Sequence, residues 1–263
     1  MLRATVVVAA AAAFTTALPS QRPTHAQVTL ESELTAVAPG QESLIGVHFK
    51  IDDGWHIYWR NPGESGSAPA IKWIAPEGLT FGEIRWPVPE RIVAPADTSY
   101  GYRREVVLLV PLKVSATMSP GSSADVKASI DYAICRDVCI TAVSSPTMSL
   151  SIGRAAASAA AGGIAQWQSK VPAPSPPLWN ASASTTQTEI ILTIDTGRQE
   201  TVASFLPFQN GLIADGATQV AEARATGITL HLKKSTLLSN APSSIDGVLI
   251  LADGAFEIHA LVK

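Results

Sequence analysis

Cysteine is nearly absent, with two in 263 residues. Two thiols cannot build the disulfide lattice of a small secreted scaffold, so whatever they do is local. Charge is sparse as well, 16% of residues against 46% hydrophobic, which excludes a disordered chain. Nor is there a basic excess. Nineteen Lys and Arg face 22 Asp and Glu, a formal net charge of −3, and no nucleic-acid partner is expected from such a balance. The Gly-x-Ser-x-Gly elbow of serine hydrolases is missing. So are the Gly-x-Gly-x-x-Gly turn and the phosphate loop of nucleotide-binding proteins. Beyond the first 26 residues no uninterrupted apolar run reaches the length of about 18 residues that marks a spanning helix.

The first residues read as a secretory leader. Arg3 supplies one charge, an apolar run rich in Ala and Val extends from Ala4 to Leu18, and the small residues Thr24 and Ala26 suit a cleavage site after Ala26. The run is shorter than the roughly 20 residues of a membrane anchor, so cleavage is expected. Removing residues 1–26 takes Arg3 and Arg22 and no acid, leaving 17 basic against 22 acidic residues. The expected location is periplasmic, which puts both cysteines in an oxidising compartment.

The rest is dominated by strand-like patterns. Leu44, Ile45, Val47, Phe49 and Ile51 lie between the breakers Pro39-Gly40 and Asp52-Asp53-Gly54. Val106 to Val110 is a continuous apolar run that suits a buried strand. Val126, Ala128, Ile130, Tyr132 and Ile134 alternate with Asp125, Lys127, Ser129, Asp131 and Ala133, the clearest period-2 strand in the chain. One or two further strands are expected over residues 140–152. Short strands at this spacing suggest a β-sandwich.

Composition shifts near Gly153 to an Ala-rich stretch, with a short helix expected around Ile164–Lys170. Pro172, Pro174, Pro176 and Pro177 then suggest a stiff linker. Beyond it a second β pattern begins with Ile190-Leu192-Ile194 and Ile228-Leu230-Leu232. All four tyrosines, both cysteines and four of the six tryptophans precede Gly153. The expected layout is all-β. A leader (1–26) is followed by a first sandwich domain (27–153) that carries the chemistry, an Ala/Pro-rich linker with a short helix (154–177) and a second sandwich (178–263).

The cysteine spacing, Cys135-Arg136-Asp137-Val138-Cys139, limits what the pair can do. In an extended strand the Cα atoms would be about 13 Å apart, too far for a bridge, which needs about 7 Å or less. A hairpin turning at Arg136–Val138 would instead oppose them at about 4.5–5.5 Å. A bridge closing so short a loop adds roughly 2 kcal/mol of stability, against almost 5 for a 100-residue loop, and short accessible bridges are the labile ones. Redox exchange, a structural staple and a soft-metal site all remain open on spacing alone. No His lies within a few residues, and the nearest Met is Met148, so no metal site and no cofactor are expected.

Three further stretches stand out. Trp55-His56-Ile57-Tyr58-Trp59-Arg60-Asn61-Pro62-Gly63 is dense in aromatics. It suits a core strand with Trp55 and Trp59 on one face and a turn at Asn61-Pro62-Gly63, or an aromatic wall beside the thiols. Trp86-Pro87-Val88-Pro89-Glu90-Arg91 and Tyr100-Gly101-Tyr102 suit structural loops or a lid. The candidates for a shield over the pair are Trp55, Tyr58, Trp59, Arg91, Tyr100 and Tyr102.

These segments, followed by Tyr132-x-x-Cys135-x-x-x-Cys139, occur in an order that resembles the periplasmic N-terminal domain of the thiol:disulfide interchange protein DsbD, and more closely its ScsB-like, copper-tolerance branch. The resemblance spans roughly Val28 to Ile152; residues 178–263 more loosely resemble the second β region of ScsB-like proteins. It implies an immunoglobulin-like sandwich with Cys135 and Cys139 as the redox pair, shielded by a cap between Pro87 and Tyr102. It implies a membrane-embedded thiol reductase as electron donor, and a periplasmic isomerase, a thioredoxin-like protein or a thiol protein of cytochrome c maturation as acceptor. DsbD itself has a wider gap between its cysteines, so a tighter hairpin is expected here. The alternatives are a binding module with a structural disulfide and a copper-binding protein.

Overall fold

The computed structural model describes residues 24–263 apart from Ala96; of the leader expected over 1–26, residues 1–23 lie outside the described residues, and Ala26 opens the first strand. Thirteen strands come first: β1 (Ala26–Ser32), β2 (Leu34–Val37), β3 (Glu42–Ile51), β4 (His56–Gly63), β5 (Ala70–Ile74), β6 (Leu79–Phe81), β7 (Glu90–Val93), β8 (Thr98–Arg103), β9 (Glu105–Val114), β10 (Ser123–Cys135), β11 (Cys139–Ser144), β12 (Thr147–Ile152) and β13 (Ala156–Ala157). The helix α1 (Ala161–Gln168) leads to β14 (Ala173–Pro174), β15 (Asn180–Thr185), β16 (Glu189–Asp195), β17 (Ala203–Pro207), β18 (Val220–Arg224), β19 (Gly227–Lys233), β20 (Ser244–Leu251) and β21 (Gly254–Val262). The fold is all-β with one short helix, in two sandwich units. No helix among the described residues is long and apolar enough to cross a membrane.

In the first unit, β1-β3-β9-β6 face β13-β2-β12-β10-β4-β8-β7, with β5 and β11 also paired to β10. The alternation of β10 does what period 2 requires. Ala124, Val126, Ala128, Ile130 and Tyr132 are buried, while Ser123, Asp125, Lys127 and Asp131 are exposed. The unbroken run Val106–Val110 has a different cause. Val106, Leu108 and Val110 enter the sandwich core, and Val107 and Leu109 turn outward onto Leu44 and Ile164 of α1. A strand apolar on both faces must be covered on both, and α1 is the second cover. The Ala/Pro-rich stretch is therefore pinned along its length. β13 pairs with β2, the Lys170 carbonyl accepts from Val88 N–H at 2.9 Å, and β14 pairs with β21. Its small residues read as a spacer, and Ile164 and Trp167 tie it to the sheet.

The second unit is a single sheet in the order β17-β20-β21-β15-β16-β19-β18, folded around Ile190, Leu192, Ile194, Leu230, Phe205 and Leu249. Leu206 and Val248 of this unit belong instead to the core of the first, so the two units share apolar interior.

Candidate redox site

Strand alternation decides which way the cysteines face. Ile134 is buried in the sandwich core and Ile140 packs against it, so Cys135 and Cys139 point out from the sheet. They are register partners with Cα atoms 4.1 Å apart, joined as a disulfide. Arg136–Val138 make the turn, closed by Arg136 N–H to the Val138 carbonyl at 3.2 Å.

The two sulfurs differ. Cys135 is 2% exposed and packs with Tyr58 and Ala133. Cys139 is exposed, at the start of β11, a strand paired only with β10 among the described strands. On the other side of β10 runs β4, with His56 opposite Cys135 and Ile57 opposite Ile134. This register puts Tyr58 on the outer face beside the pair. Its hydroxyl donates to Cys135 Sγ at 2.8 Å and lies 3.5 Å from Cys139 Sγ.

Tyr58 is fully buried on an outer face because the turn after β4 lies across it. Gly66 has φ +81° and sits flat on the phenol; a Cβ there would overlap the ring carbons, so this position needs glycine for both dihedral and space. The turn is tied to the β7–β8 hairpin. Glu64 N–H donates to the Thr98 carbonyl at 3.0 Å, Thr98 N–H donates to the Glu64 carboxylate at 2.7 Å, and the Ser65 and Ser99 hydroxyls meet at 3.1 Å. Burial pushes the Tyr58 pKa up, with Asp97 adding to the shift and the Ser65 and Ser99 hydroxyls opposing it. The phenol therefore keeps its proton and remains a donor. His56 stands edge-on to Tyr58 at 5.1 Å with Nε2 buried and unpartnered. Burial lowers its pKa, Arg103 lowers it further and Asp97 works against them, which keeps the imidazole neutral at pH 7.

The other shield candidates are dispersed. Trp55 packs beside the turn, with the Arg136 guanidinium over its ring at 5.2 Å and His25 stacked on it at 3.9 Å. Trp59 is in the core, 5.8 Å from the Phe208 ring of the second unit. Tyr102 is also in the core, its hydroxyl donating to the Pro87 carbonyl at 2.7 Å. Arg91 and Tyr100 reach into the second unit. The Arg91 guanidinium donates to the Asp215 carbonyl at 3.1 and 2.7 Å, and the Tyr100 hydroxyl donates to Asp215 Oδ1 at 2.9 Å. The turn expected at Asn61-Pro62-Gly63 comes later, because β4 runs on to Gly63. Asn61 is buried, and its amide donates to the Pro207 carbonyl at 2.8 Å. Gly66, Ser65, Ser99, Asn210 and Asp215 carry no signal in the sequence beyond small or polar turn composition.

Asp215 is buried, and burial pushes its pKa up to about 6; the Tyr100 hydroxyl pulls against this, Glu64 adds to it and Arg91 opposes it. A carboxyl with a raised folded pKa holds a proton that the unfolded chain has released. Its contribution to stability is full below about pH 4 and is lost as pH rises through about 6. Urea unfolding between pH 4 and 7 is expected to show Asp215→Asn gaining on the parent chain as pH rises. Parallel pH profiles for the two would refute this.

Residues 24–147 match the family described as "Thiol:disulfide interchange protein DsbD, N-terminal". The chain is similar in structure to the N-terminal periplasmic domain of ScsB from Proteus mirabilis, with a TM-score of 0.70 at 19% identity over 94% of this chain and 96% of that one. At that identity the likeness is one of fold, and it spans both units. BcpA, the major pilin subunit of Bacillus cereus, gives a TM-score of 0.29 at 7% identity over 90% of this chain and 67% of that one, too weak to carry an argument. No curated protein matches the sequence. The disulfide thus sits on a thiol–disulfide interchange module whose partners are thiol redox proteins. Residues 24–147 belong to the family of DsbD N-terminal domains, within a chain that has the two-unit fold of the ScsB periplasmic domain.

Proposed function

We propose that this chain works in the periplasm, taking reducing equivalents from a membrane-embedded thiol reductase and passing them to exported thioredoxin-like or isomerase proteins through Cys135 and Cys139. The observation that carries the reading is the unequal placement of the sulfurs, one open to solvent and the other buried against a hydroxyl donor. In the reducing step a donor thiolate attacks Cys139 Sγ, the bond to Cys135 breaks, and Cys135 leaves as a thiolate that accepts the Tyr58 hydrogen bond. A second donor thiol then attacks its own sulfur in the mixed disulfide and releases Cys139; two electrons have entered the pair and the donor carries a disulfide. In the delivering step Cys139 attacks the acceptor's disulfide and Cys135 resolves the mixed disulfide. The leader pattern and the periplasmic setting of the ScsB domain support the location.

A redox titration tests the proposal. The bridge is expected to equilibrate in glutathione buffers between about −180 and −280 mV, the range of exchanging dithiols. A bridge that stays oxidised below about −300 mV has the potential of a structural disulfide, and the proposal is then wrong.

A further inference from the structure

We infer that the second unit is a positioning element of the redox site: through Asn210 and Asp215 it holds the Gly63–Gly66 turn across Tyr58, and so keeps the Tyr58 hydroxyl on Cys135. The apolar contacts between the units, Leu206 and Val248 in the shared core and Phe208 against Trp59 and Arg60, would be enough to bury surface. The polar contacts go elsewhere and are directional. Asn210 Nδ2 donates to the Gly63 carbonyl at 2.6 Å and to Asn61 Oδ1 at 3.3 Å, while Asn61 Oδ1 also accepts Gly63 N–H at 3.0 Å. Asp215 takes Arg91 of β7 and Tyr100 of β8. Next to it, Gly216 lies against Thr98 and Glu64, close enough that a Cβ would be 3.4 Å from Thr98 Oγ1 and 3.9 Å from the carboxylate.

Apart from those on Asn61 of β4, whose amide also donates to the Pro207 carbonyl, these contacts land on the turn that covers Tyr58 or on the hairpin bonded to that turn. A continuous path of packed and hydrogen-bonded groups therefore runs from the second unit through Gly63, Glu64, Ser65 and Gly66 to the phenol and the buried sulfur, the kind of connection that carries coupling between distant residues. Its sign follows from exposure. Cys139 is already open, so slackening the turn does not uncover the attacked sulfur. It frees the phenol, which withdraws the donor from departing Cys135 and slows reduction.

The inference rests on the Cys135–Cys139 bridge being the working site, but its test needs no biological partner. Reduction of the full chain by dithiothreitol follows the same bonds: one reagent thiolate attacks Cys139 Sγ, Cys135 leaves as thiolate, and the second reagent thiol closes the dithiothreitol ring and releases Cys139, two electrons passing to the protein. Asn210→Ala and Arg91→Ala are expected to slow this reaction about three- to tenfold and to move the glutathione midpoint toward the oxidised form. In a Tyr58→Phe background both are expected to have no further effect, the non-additivity that marks one shared pathway. Phe208→Ala, at the same interface but off the path, is the control for general loosening and is expected to leave the rate within twofold. The inference is overturned by unchanged rates in both variants. It is equally overturned by full slowing in the Tyr58→Phe background, or by the same slowing in Phe208→Ala. Thermal melts establish that each variant is folded before rates are compared. Absence of any exchanging partner protein would count against the proposed function and leave these rates unaffected.

Discussion

A Cys135→Ser chain is expected to accumulate a stable mixed disulfide with an oxidised thioredoxin-like protein, and a Cys139→Ser chain to accumulate almost none. The first variant keeps the exposed thiol at Cys139 and loses the group that resolves its adduct. The second keeps only Cys135, which is 2% exposed beneath Tyr58 and its covering turn. For Cys135 to meet a protein disulfide the site must first open. An opening free energy of about 2.7 kcal/mol, modest for a local unfolding event, already lowers the trapping rate about 100-fold. Non-reducing electrophoresis with intact-mass measurement reads the adduct directly. Equal trapping by the two variants would remove the assigned order of attack.

Tyr58→Phe is expected to make the bridge harder to reduce. The substitution keeps the ring under Gly66 and deletes one donor, the 2.8 Å hydrogen bond to Cys135 Sγ. That bond is stronger when sulfur carries charge, so it favours the reduced, thiolate form over the disulfide. Hydrogen bonds to charged groups contribute about 1.5–3 kcal/mol, which for a two-electron couple corresponds to roughly 30–60 mV. The midpoint should become more negative by that amount, and reduction by dithiothreitol should slow about tenfold or more. A midpoint shifted the other way would mean that the hydroxyl stabilises the disulfide instead.

Much of this site is legible in the amino-acid sequence. The alternation from Asp125 to Ile134, followed by one cysteine, three residues and a second cysteine, leaves few geometries in which the sulfurs can meet, and the hairpin with opposed Cys135 and Cys139 is what the structure contains. The run Val106–Val110 likewise reads as a buried strand, although nothing in the run itself tells what covers its second face. α1 draws on Ala and Gly, and only Ile164 and Trp167 mark the surface it buries. What patterning does not show is the partition of the aromatics. Trp59, Tyr100 and Tyr102 have the same composition signal as Tyr58, yet strand parity and contact with the second unit send them to the core and the interface. Asn210 and Asp215 act across more than 100 residues of sequence, and polar residues in loops carry no period that reveals such reach.

The shared core also sets an order of events during synthesis. The hairpin bearing Cys135 and Cys139 closes over four residues of separation, so its strands can meet as soon as both have emerged. Leu206 and Val248 arrive much later, and until they do the first sandwich has an unfilled wall on the side that receives them. The thiols are therefore brought together on a scaffold still lacking its last apolar contacts. A nascent chain halted near residue 153 would present that wall to the solvent, a surface for chaperones to bind or for neighbouring chains to stick to.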